Sequence, residues 1–238
     1  MAASTDDGSR NPLPLLLVAL TVTTGLVDAI SVLGLGRVFT ANMTGNVVFF
    51  GFAVGGAEGF EAPRYIVALA AFLAGAALGG MLGKALSGAT RRRWLLTVAV
   101  VECSLLGAAA LVAIGYDIES LVPTTRLYAL ILLTALAMGL RNATVRQLRV
   151  PDLTTTVLTL TLTGLAADSS IAGGGNTLWG RRLAAVLSIF AGASIGTVLV
   201  IRTGLSLPLA ITGLFVLIAT AAYALHPASR TVAGKGDR

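Results

Sequence analysis

Apolar runs follow one another along nearly the whole chain, each closed by a short polar or glycine-containing break. Eight can be drawn, at roughly 13–36, 38–55, 65–86, 94–115, 127–140, 153–172, 183–201 and 207–225. A helix that crosses hydrocarbon needs about 20 residues, so several runs qualify outright and 127–140 is short. The runs also repeat. Gly25-Leu26-Val27-Asp28-Ala29 returns 114 residues later as Gly139-Leu140-Arg141-Asn142-Ala143, and Val38-Phe39-Thr40 returns as Asp152-Leu153-Thr154. Ala74-Gly75-Ala76-Ala77-Leu78-Gly79 is echoed 117 residues on by Ala191-Gly192-Ala193-Ser194-Ile195-Gly196. Internal repeats with polar breaks at matching places point to a membrane architecture with a midplane site.

Composition sharpens this pattern. Hydrophobic residues make up 55% of 238 positions and charged ones 12%, with a mean hydropathy of +0.87. Soluble domains carry about 25% charged residues, so this chain is expected to have lipid as its solvent. The ends, 1–12 and 226–238, are short polar tails, and the chemistry is therefore expected inside the bilayer or at its edge. The first run is longer than a signal-peptide core and recurs in mid-chain, which reads as a retained span.

Loop charge then chooses the topology. If all eight runs cross, Lys and Arg divide 8 to 9 between the two sides; if the second run of each repeat enters and leaves on one face, they divide 13 to 4. The excess of positive charge in cytoplasmic loops favours the second arrangement. It predicts an all-α polytopic membrane protein of about six transmembrane helices plus two short or broken segments, in the cytoplasmic (inner) membrane with both termini cytoplasmic. The repeats are 13–115 and 127–225, joined by a non-cytoplasmic link at 116–126. Three crossings per repeat invert the second repeat relative to the first. In this scheme Arg91-Arg92-Arg93, Arg141/Arg146/Arg149 and Arg181-Arg182 all fall in cytoplasmic links. Tyr65, Trp94, Tyr128 and Trp179, each near an Arg, read as rings at headgroup level.

The net charge of +6 is thus explained by topology, and no nucleic-acid partner is expected. Lone Cys103 and lone His226 allow neither an intrachain disulfide nor a Cys/His metal cluster, and no cofactor or metal is expected. With no P-loop, G-x-S-x-G or H-E-x-x-H, the chain does not read as an enzyme.

The polar residues inside the apolar runs carry the candidate chemistry. Asn42, Thr44, Gly45 and Asn46 fall within Phe39-Thr40-Ala41-Asn42-Met43-Thr44-Gly45-Asn46, a stretch expensive in lipid unless its partners are internal. It suits a broken helix facing a cavity, with Gly45 supplying backbone freedom; equally, Asn42 and Asn46 could glue neighbouring helices. Asp28 lies deep in the first run, where an Asp costs about 2.5–3.5 kcal/mol on insertion scales, and its repeat mate is Asn142. Glu102 lies mid-run with no cation nearby in sequence. It is either a proton-coupling carboxyl or helix glue, with Arg202 as one conceivable partner. Thr154 opens a Thr-rich stretch in which Thr155, Thr159 and Thr163 share a helical stripe; back-bonding to the i−4 carbonyl is the expected use. Leu-Thr alternation over 158–163 adds a period-two hint.

Gly25-Leu26-Val27-Asp28-Ala29 with Val38-Phe39-Thr40-Ala41-Asn42-Met43-Thr44-Gly45-Asn46 resembles the signature of the YoaK-like family of uncharacterised bacterial inner-membrane proteins. Gly139-Leu140-Arg141-Asn142-Ala143 and Asp152-Leu153-Thr154-Thr155-Thr156 resemble that family's second motif, although this chain has Thr159-Leu160 where family members have Thr-Gly. The resemblance covers about 15–223. It implies a roughly six-span membrane protein and supplies no substrate.

Two functions remain open on the sequence: a secondary transporter or permease for an unknown small solute, with Glu102 as the candidate for proton coupling, and a non-transporting scaffold or lipid-binding protein. In the first, Asp28, Asn42, Thr44, Gly45, Asn46, Asn142 and Thr154 form the substrate site. Gly75, Gly79, Gly83, Gly192 and Gly196 offer a flat small-residue face that joins either the two repeats or two copies of the chain.

Overall fold

The structure, a computed structural model, describes residues 12–148, 158–176 and 178–231. Its helices are α1 (Leu13–Gly34), α2 (Met43–Val54), α3 (Ala62–Ala85), α4 (Arg91–Val112), α5 (Thr124–Leu148), α6 (Leu158–Ala167), α7 (Trp179–Thr203) and α8 (Ser206–Leu225). Among the described residues, six helices are long and apolar enough to cross a membrane. The 12 residues of α2 and the 10 of α6 reach about 18 and 15 Å at 1.5 Å per residue, well short of about 30 Å of hydrocarbon. Local sequence explains several boundaries. Prolines open α1 and α3, where a missing N–H costs nothing. At α4 the Thr90 hydroxyl accepts the Arg93 N–H at 3.3 Å.

Helix packing follows the repeat. The most extensive interfaces are α3 with α5 and α1 with α7, followed by α4 with α8; α4 with α5 and α1 with α8 form the next matching pair. Each repeat thus lends its third segment to the first helix of the other. Buried α1 and α5 lie at the centre, while α3 and α7 turn Leu73, Met81, Phe190 and Ile201 outward.

The directions of the helices settle how the repeats are related. Along α3, Gly75, Gly79 and Gly83 face Leu136, Leu140 and Gln147 of α5 in rising order, so the two helices are parallel. Gly192 and Gly196 face Val22 and Leu26 in the same way, making α7 parallel to α1. Helices α4 and α8, in contrast, are antiparallel: Gly213 faces Cys103 and Leu106, and the earlier Ser206 donates to the Ala110 carbonyl at 2.8 Å. Eight crossings would make α4 and α8 parallel. Six crossings, with α2 and α6 returning to the face they left, make them antiparallel. The repeats are inverted.

The glycine faces join the repeats. A Cβ on Gly75 would fall on the Leu136 carbonyl, one on Gly192 on the Val22 carbonyl, and one on Gly83 on the Gln147 side chain. Reciprocally, Gly139 lies against Phe72 and Ala76, and Gly25 against Ile189 and Ala193. Both sets of contacts superpose under the 114- and 117-residue offsets. All five small residues considered for contacts between copies are therefore in use within one chain.

Three details differ from the sequence expectations. The short run 127–140 belongs to a helix of 25 residues that continues through Arg141 to Leu148; an internal charge had ended the apolar run early. Arg141 consequently leaves the cytoplasmic link and lies 1% exposed inside the bundle. Tyr65 and Trp94, expected at headgroup level, are buried in protein, where Tyr65 packs edge-on to Phe49 at 6.0 Å. The alternation at 158–163 proves helical and not period-two, while the Thr163 hydroxyl donates back to the Thr159 carbonyl at 2.9 Å, the use expected of the threonine stripe.

Candidate functional site

The first polar station forms where the chain interrupts its own crossing. After α1 it reverses through Gly36 and Arg37, both with left-handed backbone at φ 73° and 62°, then runs non-helically back beside α1 before α2 begins at Met43. Asn46 holds this break. Its amide oxygen accepts the Phe39 N–H at 2.9 Å and its amide nitrogen donates to the Phe39 carbonyl at 2.5 Å. One side chain thereby satisfies both backbone groups of a residue outside any helix, a requirement in hydrocarbon. Gly45 is helical, and its small size is needed for space: a Cβ there would strike the Phe39 ring. The ring of Phe39 stacks on Phe49 at 6.0 Å, and Phe49 meets Phe60 at 5.3 Å, wedging α2 against α3.

This break delivers Asn42 to Asp28. The Asn42 amide donates to Asp28 Oδ2 at 3.2 Å, while Asp28, 9% exposed, keeps its buried Oδ1 without a hydrogen-bond partner. Nearby on the same returning strand, the buried Thr40 hydroxyl is also unpartnered. Of the remaining expected site residues, Thr44 is exposed on α2. Asn142 donates to the Met138 carbonyl at 2.9 Å, and Thr154 lies outside the described residues.

The second station is one turn away along α1. Arg141 of α5 pairs with Glu102 of α4, both side chains 2% exposed. Its Nη1 also donates to the Thr23 hydroxyl at 2.7 Å and to the Leu20 carbonyl at 3.3 Å, with the Thr24 hydroxyl at 3.4 Å. Glu102 therefore has a cation, and it is not Arg202, which is exposed at the end of α7. The pair ties the first repeat to the second through three helices. Sequence reasoning missed Arg141, Thr23 and Thr24 as site residues. The signal was present in the repeat: Arg141 aligns with Val27, fourteen residues inside α1, not at a helix end.

Chemically, these stations offer a carboxylate with an open oxygen and a buried guanidinium whose Nε has no partner. Among the described residues, no three His, Cys, Asp or Glu side chains cluster as a metal site.

The family described as "Protein of unknown function (DUF1275)" matches residues 16–222, covering both repeats and both stations. The chain belongs to this family. Similarity also extends to the UPF0700 transmembrane protein YoaK of Bacillus subtilis (strain 168), which is 35% identical over 158 residues, or 65% of this chain. The match spans 66% of that relative's own length. No solved structure matches the chain. The DUF1275 membership agrees with the expected resemblance and with a transmembrane protein; it brings no activity with it.

Proposed function

We propose that this membrane protein is a secondary transporter or permease for a small solute. The observation that carries this reading is the interrupted crossing at 35–42, which sets Asn42 against a mid-helix carboxylate, Asp28, that has one unsatisfied oxygen. Broken segments in inverted repeats place free polar groups where lipid cannot reach and a solute can. In this reading Asp28 and Asn42 contact the solute. Asn46 and Gly45 hold the break open, and Asn142 is the second repeat's counterpart of Asp28. The protein would reside in the cytoplasmic membrane with both termini inside, since removing buried Arg141 from the loop count leaves Lys and Arg at 12 to 4.

The test is a solute screen on the purified protein in proteoliposomes, wild type beside Asp28→Ala. Uptake of a solute above protein-free vesicles, lost in the variant while its insertion and folding persist, supports the assignment. Normal uptake by Asp28→Ala removes Asp28 from the site. Orientation is read separately: in a Cys103→Ser background, single cysteines at Ser9 and Glu58 are expected to label from opposite sides with an impermeant thiol reagent.

A further inference from the structure

The Arg141–Glu102 pair is costly as a structural element alone. Buried ion pairs seldom outperform apolar residues of similar volume, because two charges must leave water to form them. This one also leaves the guanidinium incompletely used, with Nε unpartnered and Arg141 only 1% exposed. Guanidinium carries five donors in a planar fork that matches a carboxylate. Beside the pair is a cavity of about 20 Å³, bounded by Glu102, Arg141 and Thr220 and walled by Leu16, Leu95 and Leu148. That volume is enough for about one water molecule. Leu16 and Leu95 lie near the starts of α1 and α4, and Leu148 ends α5. The cavity therefore extends from the pair toward the face where α1 and α4 begin.

We propose that Arg141 binds the carboxylate of a small monocarboxylic acid, which replaces Glu102 on the guanidinium while Glu102 takes up one proton. The exchange balances. Before it, the site holds one guanidinium and the Glu102 carboxylate; after it, one guanidinium, the ligand carboxylate and a neutral Glu102. An anion arriving without the proton would set two carboxylates against one cation in a desolvated site, which is strongly unfavourable. Among the described residues, the groups around the pair are Thr23 and Thr24 of α1, with Asp28 one turn further; Cys103 beside Glu102 on α4; Thr144 of α5; and Thr220 of α8, with Tyr223 one turn further. None is a second cation. The apolar walls oppose a second charge on the ligand, and because the cavity itself holds about one water, a carbon tail is accommodated only as Glu102 moves off the guanidinium.

This inference rests on the carrier reading for its role in transport, but binding is tested without flux. The full chain in detergent is titrated with acetate, propionate, butyrate, lactate and pyruvate, and with butyramide as the uncharged control. Binding is followed by calorimetry and proton uptake by an indicator dye in weakly buffered solution. At least one acid is expected to bind with about one proton taken up. Its apparent affinity is expected to fall about tenfold per unit rise in pH, the slope one proton dictates. Glu102→Gln is expected to keep the binding and lose both the proton uptake and the pH slope. If that variant does not fold alone, purifying it with the acid present is expected to rescue it, and butyramide is not.

The double variant Arg141→Gln/Glu102→Gln, which buries no charge at the pair, is expected to bind no acid. Binding by the double variant, proton uptake that persists in Glu102→Gln, or no binding across the series overturns the proposal. Counterflow of the bound acid in proteoliposomes, above the leak of protein-free vesicles, is read last. Binding without flux leaves the Arg141 site standing and removes that acid as the carried solute.

Discussion

The two repeats share a scaffold and differ in their charges. In the first, Val27 and Asp28 occupy the middle of the central helix; in the second, the matching places hold Arg141 and Asn142. Helix α4 carries Glu102 in its buried face, whereas α8 contains no charged residue. Small residues, by contrast, recur in register in both halves, and each makes the same backbone approach. The inverted repeat thus sets the frame twice, while the ionisable groups gather along α1, α4 and α5. Symmetry here describes packing, and its breach marks the candidate chemistry.

The sharpest way to break this contrast is at the asymmetric pair. Arg141→Ala leaves Glu102 buried without a cation and is expected to cost about 3–5 kcal/mol. The double change Arg141→Met/Glu102→Leu is expected to be near neutral or stabilising, because it removes both charges from a desolvated place. Denaturant melts in detergent of the wild type, Arg141→Met, Glu102→Leu and the double variant give the coupling directly. A double variant as unstable as the single one would mean that the threonine contacts, not the ion pair, hold α5 to α1.

Next in size come the symmetric contacts. Gly75→Ala and Gly192→Ala each push a methyl group onto a backbone carbonyl of a parallel helix and are expected to cost about 1–3 kcal/mol. Because the contacts are repeat mates, the two losses should agree closely. A large loss at one and none at the other would show that one repeat, not the pair, organises the fold.

These two kinds of site also differ in how far they were legible. Run lengths and loop charges foretold six crossings and inversion, because hydrophobic thickness and positive charge act on the chain through composition. The glycine faces were visible as spacing, and the repeat named their partners only once α3 was seen beside α5. Arg141 was misplaced because an apolar run ends at the first charge, while the helix, satisfied by Glu102 some forty residues earlier in sequence, continues. Asn46 was harder still. Its two bonds to backbone both go to Phe39, seven residues back across a helix start, and no side-chain periodicity encodes such a bond.

Asn46 therefore makes a more local test of the first repeat. Asn46→Ala orphans the part-buried N–H and carbonyl of Phe39 and is expected to cost about 1–3 kcal/mol, with the loss centred on 35–54. Hydrogen exchange should show amides of that stretch opening while those of α5 stay protected. Uniform loss of protection across both repeats would mean that the break is integral to the whole bundle.

Asp28→Ala is expected to have the smallest effect on stability and the largest on function. Asp28 accepts one side-chain hydrogen bond, from Asn42 at 3.2 Å, and its second oxygen has no partner. Removing the carboxylate therefore sacrifices about 1 kcal/mol of hydrogen bonding and relieves the burial of a charge. A carboxylate placed to hold helices together would show severe loss on truncation and rescue only by removing its partner. Comparing melts of Asp28→Ala and Asp28→Ala/Asn42→Ala separates these cases, since a structural pair couples strongly and a solute-facing one weakly. If Asp28→Ala destabilises as much as Arg141→Ala, Asp28 is structural and the carrier reading loses its central observation. If the melt hardly moves while uptake disappears, the open oxygen of Asp28 is where the solute is held.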